Sequence, residues 1–218
     1  MLFLMKHLLA IIRNIKMKVT FFNNINIDIP YKAIYSRLGY RKSTTEISKE
    51  QEKKIIGVIN NYFKFIKLHG AIVRLSILNK DEKRVDFDSF SVESKDFAKF
   101  LKESNEVFLI GTTAGKDIVE LRNSLMDSDS YSAVIIDAVG SESVESFTEW
   151  INDYLAKMIS REGKILTNRR YSPGYGDFPL KYQKQVVEIL QLEKIGISLS
   201  DTFILNPEKS VTAFIGVI

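Results

Sequence analysis

Cysteine is absent from this chain of 218 residues, so neither a disulfide framework nor a thiolate metal site can be built from it. Histidine is nearly absent, and His7 and His69 stand far apart in sequence. No Ser/His/Asp or Cys/His constellation is therefore available, and we expect no catalytic nucleophile and no metal site. A charge block of one sign is also missing. The 31 basic and 27 acidic residues are interspersed, the formal charge is only +4, and no lysine run is interleaved with aromatics. That pattern argues against nucleic acid as a partner. No apolar run reaches the roughly 20 residues that span a bilayer, so no membrane partner is expected. The most apolar stretch, Met1 to Ile12, contains Lys6 and His7 and lacks both a basic leader region before it and a small-residue cleavage site after it. Two readings of it stay open: an amphipathic helix docked on the body, or an extension upstream of a true start at Met17. The second is preferred, giving an extension over 1–16 and a single domain over 17–218. The lack of cysteine fits a reducing cytoplasm.

What is present is ample core material, with 45% hydrophobic and 11% aromatic residues, enough to bury one substantial domain. Asp28, with Pro30 in the first turn and Gly39 past the end, predicts a short capped helix to Leu38. Ser48 and Gln51 form a capping-box pattern opening a longer helix with Ile55, Ile59, Tyr62, Phe63 and Ile66 on one face; Gly70 is read as its end, with His69 in its last turn. Period-two patterns at 71–78 and 84–90, joined by polar Asn79 to Lys83, predict a hairpin. Ser94 opens a helix to about Lys102, and 107–112 reads as a strand buried on both faces. A helix over about 116–126 follows. The stripe from Val134 to Met158 fits one long helix or two broken near Gly140-Ser141. Asp177 and Pro179 open a further helix to Leu192, and strands are expected at 197–199 and 210–217. Without a repeating βαβ rhythm, the fold class is α+β, a mostly antiparallel or mixed sheet flanked by helices.

Gly111-Thr112-Thr113-Ala114-Gly115-Lys116-Asp117 lies between a strand and a helix, where a phosphate loop would lie. Its spacing is short by one residue, and Asp117 stands where a magnesium-binding hydroxyl is needed, so it reads as a turn. Asp137, Glu142 and Glu145 have no histidine with them and read first as a solvated helix surface. The most informative segment is Arg169 to Leu180. Pro173 fixes its own φ, Gly174 and Gly176 let the backbone turn close to a ligand, and Arg170 presents a planar donor fork suited to a carboxylate or phosphate.

Arg170-Tyr171-Ser172-Pro173-Gly174-Tyr175 resembles the Arg-x-x-x-Gly-Tyr loop of the activation domain of cobalamin-dependent methionine synthase, the loop with which that family holds S-adenosylmethionine. Ile136 to Glu145 before it, and Ile197 to Thr202 and Asn206 to Val211 after it, resemble the same family in the same order, especially its free-standing short members. The resemblance implies an activation-domain fold and a reactivation role. S-adenosylmethionine would be bound by Arg170 at its carboxylate, by the backbone near Ser172 at its adenine, by close approach at Gly174, and by Tyr175 as a wall. Asp28 matches loosely the aspartate that meets the cofactor's amino group, and Asp137 and Glu145 match acidic positions of a helix facing ligand or partner. Cobalamin would be supplied by a methionine synthase subunit acting in trans, because the Asp-x-His-x-x-Gly signature is missing here, and electrons by a flavodoxin-like donor. The chain would then be a methyltransferase component without activity alone. The other reading is a non-catalytic docking module that grips a corrinoid protein without binding S-adenosylmethionine.

Overall fold

The computed structural model describes residues 18–41 and 45–218; the extension over 1–16 lies outside them. Six strands form one antiparallel sheet. Its spatial order is β4 (Ser91–Glu93), β3 (Arg84–Phe87), β2 (Leu68–Lys80), β5 (Glu106–Thr113) and β8 (Ser210–Val217), while β1 (Thr20–Ile25) pairs with the first half of β2. Every pairing is antiparallel. The expected hairpin is β2 with β3, and the expected doubly buried strand is β5, an interior strand between β2 and β8. A separate small ribbon joins β6 (Ser198–Leu199) to β7 (Leu205–Asn206).

Strand alternation sends Ala71, Val73, Leu75, Val107, Leu109 and Phe214 to one face of the sheet. There α3 (Lys95–Phe100) and α6 (Gln183–Leu190) cover them with Phe97, Val186 and Leu190. Ile72, Phe108, Ile110, Ala213 and Ile215 face the other way, against Phe147, Ile151 and Leu155 of α5 (Ser130–Ser160). On the far side of α5, α1 (Tyr31–Arg37) and α2 (Lys49–Tyr62) contribute Ile34, Ile55 and Ile59 to a third cluster with Ile135, Ala138 and Val139. The long stripe is thus one helix, about 46 Å long at 1.5 Å per residue. It continues through Gly140 because that residue is buried, with Lys209 packed beside it. α4 (Asp117–Leu125) lies against it, with Ile118 in its sheet-facing cluster.

Several local expectations are corrected. Asp28 does not cap α1: Pro30 occupies the N-cap position, and no side chain accepts there. The capping box of Ser48 and Gln51 forms as read, but α2 ends at Tyr62 and a 3-10 turn over Phe63–Phe65 follows. His69 and Gly70 belong to β2, because Leu68 and Gly70 already pair with Ile25 and Phe22. His69 Nδ1 sits 3.2 Å from Asn23 Oδ1, and burial, with Lys67 nearby, lowers its pKa. Asp177 opens no helix of its own. It accepts from Ser94 Oγ and from the backbone N–H groups of Lys95 (2.8 Å) and Asp96 (3.1 Å), and these bonds, Ser94's first, keep its carboxyl below the usual range. The segment after it forms a 3-10 turn at Leu180–Tyr182 and then α6, which stops at Leu190, before a left-handed Gln191.

Candidate functional site

The segment from Ile165 to Tyr171 runs along the edge of β8 not used by β5. Ile165 and Ile218 exchange backbone hydrogen bonds of 2.9 and 2.8 Å, and Tyr171 and Phe214 exchange bonds of 3.0 and 2.7 Å. The Tyr171 ring anchors the loop by stacking on Phe100 and Phe178 at centroid distances of 5.3 and 6.2 Å. Ser172 Oγ donates to the Thr212 carbonyl at 2.7 Å, so its hydroxyl serves the scaffold. The turn is then closed by Tyr175 N to Ser172 O (3.1 Å) and Gly174 N to Phe178 O (2.7 Å). Gly174 (φ +95°) and Gly176 (φ +53°) both adopt left-handed backbone. A Cβ on Gly176 would lie 2.3 Å from Asp96 Oδ2 and 2.7 Å from the Tyr171 hydroxyl oxygen, so a side chain here would have to displace both at a φ that favours glycine.

The loop and α5 border a half-open cavity of about 370 Å³, within the range of small-molecule sites. α5 supplies Glu145, Glu149 and Asn152, and the loop supplies Arg170, Ser172 and Tyr175. The carboxylates meet because residues four apart share a helix face. Arg170 Nη2 donates to Glu145 Oε2 at 3.1 Å and lies 3.9 Å from Glu149 Oε2. Its Nη1 is buried and has no hydrogen-bond partner. A buried N–H without an acceptor is costly, so this nitrogen is left short of one. Tyr175 is 57% exposed and offers an aromatic wall with a free face.

The sequence-derived residues thus divide. Arg170, Ser172, Tyr175 and Glu145 converge on the cavity, and Gly174 shapes the turn that makes it. Asp137 belongs to the same helix but to another neighbourhood, about 12 Å along the axis from Glu145. It accepts from Arg122 at 2.8 Å and from Lys209 at 2.7 Å, with Glu208 also on Arg122 at 2.7 Å. Burial opposes ionisation of Asp137, but Lys209 and Arg122 outweigh it and hold the carboxyl below its usual range. Asp28 is exposed in the loop before α1 and does not line this cavity. Glu149 and Asn152 escaped the sequence reading, although Glu149 follows Glu145 by one helical turn. Among the described residues, no helix is long and apolar enough to cross a membrane.

Comparison with known proteins bears on the family and the fold of the chain. The family model described as "Vitamin B12 dependent methionine synthase, activation domain" matches residues 67–217. A methionine synthase of Mycobacterium leprae (strain TN) is 26% identical over 147 residues, covering 57% of this chain and 12% of that protein. This chain therefore corresponds to a small part of that synthase. In structure the chain is similar to the MetH reactivation domain, whose crystal structure has AdoHcy bound. The TM-score is 0.65 at 13% identity, covering 93% of this chain and 79% of that one.

Proposed function

The chain belongs to the family of vitamin B12-dependent methionine synthase activation domains, and from that membership we propose that it is a reactivation subunit. It binds S-adenosylmethionine at the Arg170 cavity and presents it to cobalamin held on a partner methionine synthase polypeptide. One observation carries the ligand assignment: Arg170 lies against the cavity with one guanidinium nitrogen already held by Glu145 and the other buried and partnerless. The match of the fold to a reactivation domain bound to AdoHcy, the demethylated product of such a donor, supports it.

The residues fit a zwitterionic sulfonium ligand. Arg170 takes the ligand's carboxylate in a charge-assisted contact, and the carboxylates of Glu145 and Glu149 balance its ammonium and sulfonium charges. Tyr175 faces the sulfonium, a cation–π contact of about 0.5 to 2 kcal/mol. The chemistry is the cofactors' own: one electron from a flavodoxin-like donor and a methyl group from the sulfonium return oxidised cobalamin to its methylated form, and S-adenosylhomocysteine leaves. No general base is needed, so the lack of a nucleophile or paired histidine in this chain is no obstacle. Its task is proximity and orientation.

The test is reconstitution in trans. A cobalamin-dependent synthase without its activation domain is inactivated by oxidation, then supplied with an electron donor, S-adenosylmethionine and this protein. Methionine formation recovers only when this protein is present, and recovery equal with Arg170→Ala overturns the assignment. The Arg170–Glu145 contact also favours a second reading, a docking module for a corrinoid protein whose arginine is already neutralised. Titration calorimetry decides between them, since the module takes up no S-adenosylmethionine at millimolar concentration.

A further inference from the structure

Along the edge of β8 the Arg170 segment does not keep a regular register. Leu166 pairs with Val217 and Tyr171 with Phe214, so the loop advances five residues while β8 retreats by three. Two extra residues are accommodated between the pairs, within the stretch Asn168-Arg169-Arg170, which stands opposite Ile215 alone. An extrusion of this kind needs something to hold its open end, because it interrupts the ladder of backbone bonds. Thr167 stands at that end. Its N–H donates to the Gly216 carbonyl at 2.9 Å, as in a normal antiparallel pair. The return bond is different: Gly216 N–H donates to Thr167 Oγ1 at 3.0 Å, where the Thr167 carbonyl would ordinarily accept. The same hydroxyl donates to the Arg169 carbonyl at 2.9 Å, bridging the extrusion. A side chain has replaced the backbone acceptor, so the main chain is free to turn outward.

We propose that Thr167 is the positioning residue of the arginine clamp, its hydroxyl locking the extruded turn that aims Arg170 into the cavity. Gly216 is its necessary counterpart, since a Cβ there would lie 2.7 Å from Thr167 Cγ2 and 2.2 Å from Ser104 Oγ. Beyond the extrusion, the backbone pair of Tyr171 with Phe214 and the Ser172 hydroxyl re-attach the chain to β8, so Arg170 is bracketed on both sides, and at the Thr167 end the hydroxyl stands in for the backbone acceptor itself. Where it concerns the ligand, the proposal rests on the reading of the cavity as an S-adenosylmethionine site.

The experiment compares Thr167→Val, which keeps shape and removes the hydroxyl, with Thr167→Ser, which keeps the hydroxyl. Ser48→Ala, which uncaps α2 far in sequence from the loop, serves as a control for general destabilisation. Amide hydrogen exchange at Gly216 and Tyr171 and calorimetric affinity for S-adenosylmethionine are measured on the full chain. Thr167→Val is expected to speed exchange and weaken affinity by about tenfold each, Thr167→Ser to stay within about twofold of the parent by the same reasoning, and Ser48→Ala to leave both readouts unchanged while lowering Tm. Unchanged exchange in Thr167→Val, equal loss in Thr167→Ser, or equal loosening of the loop in Ser48→Ala overturns the proposal. If the parent protein binds no S-adenosylmethionine, the reading of the cavity falls, and the exchange comparison alone decides the role of Thr167.

Discussion

On the proposed reading of the cavity, replacing Arg170 by alanine should lower affinity for S-adenosylmethionine far more than stability. In the folded protein Arg170 makes a partly exposed ion pair with Glu145 at 3.1 Å. Such a pair is worth roughly 0.2 to 1 kcal/mol, so the variant should lose at most about 2 to 4 °C in Tm at this chain length. Binding is affected much more. A hydrogen bond to a charged group contributes about 1.5 to 3 kcal/mol, and removal of Arg170 also leaves Glu145 and Glu149 facing the ligand's carboxylate without a cation between them. We therefore expect the upper part of that range, a weakening of about 30- to 150-fold in Kd. The assay is titration calorimetry with S-adenosylmethionine at 25 °C, beside a thermal melt of each protein. A cycle with Glu145→Gln adds a further check: the two residues touch, so their effects on affinity should be non-additive by about 0.5 kcal/mol or more. Affinity within twofold of the parent for Arg170→Ala, with an intact fold, would refute the clamp.

Three further expectations follow from the same structure. Gly176→Ala should destabilise by about 1 to 3 kcal/mol, because a Cβ must enter the space of Asp96 Oδ2 at positive φ; an unchanged midpoint in a urea melt would count against it. Arg169→Ala should change affinity for S-adenosylmethionine less than about threefold, since Arg169 borders the cavity but is exposed, whereas Arg170 is half-buried and pairs with Glu145; calorimetry with an effect matching that of Arg170→Ala would reverse the assignment. In acid, Glu162 contributes through its hydrogen bond to Arg74, which with Lys164 nearby lowers its pKa from 4.5 to about 2. A depressed carboxyl stabilises the fold above its unfolded pKa, so this contribution is present above about pH 4.5 and is lost as pH falls toward 2. Glu162→Gln should flatten the stability profile in that window, and an unchanged acid limb would show that the pair is idle.

The parts of the fold set by a few neighbouring residues were legible in the sequence. Ser48 and Gln51 cap α2, Ser94 caps α3, and Gly39, Gly174 and Gly176 adopt the positive φ that their turns demand. Alternation marked the β2–β3 hairpin, because the side-chain period of a strand is a property of the backbone alone, while a continuous apolar run marked β5, which is covered on both faces. The arginine, proline and glycines of the loop marked the turn that borders the cavity for the same reason: each acts through its own local chemistry. Pairing between distant segments decided the rest. β1 shows little alternation and exists because β2 accepts it, which also draws His69 and Gly70 out of the expected helix and into a strand. The sequence left open whether the long stripe was one helix or two; packing against the sheet on one side and α1 and α2 on the other made it one. Asp177 serves the start of α3 from about eighty residues away, and Thr167 accepts the N–H of Gly216 across 49. That Glu145 and Glu149 meet Arg170 while Asp137 meets Lys209 depends on the rotation of α5 over the sheet. No local signal encodes that rotation, because it is the summed outcome of side chains from every layer finding one close-packed arrangement.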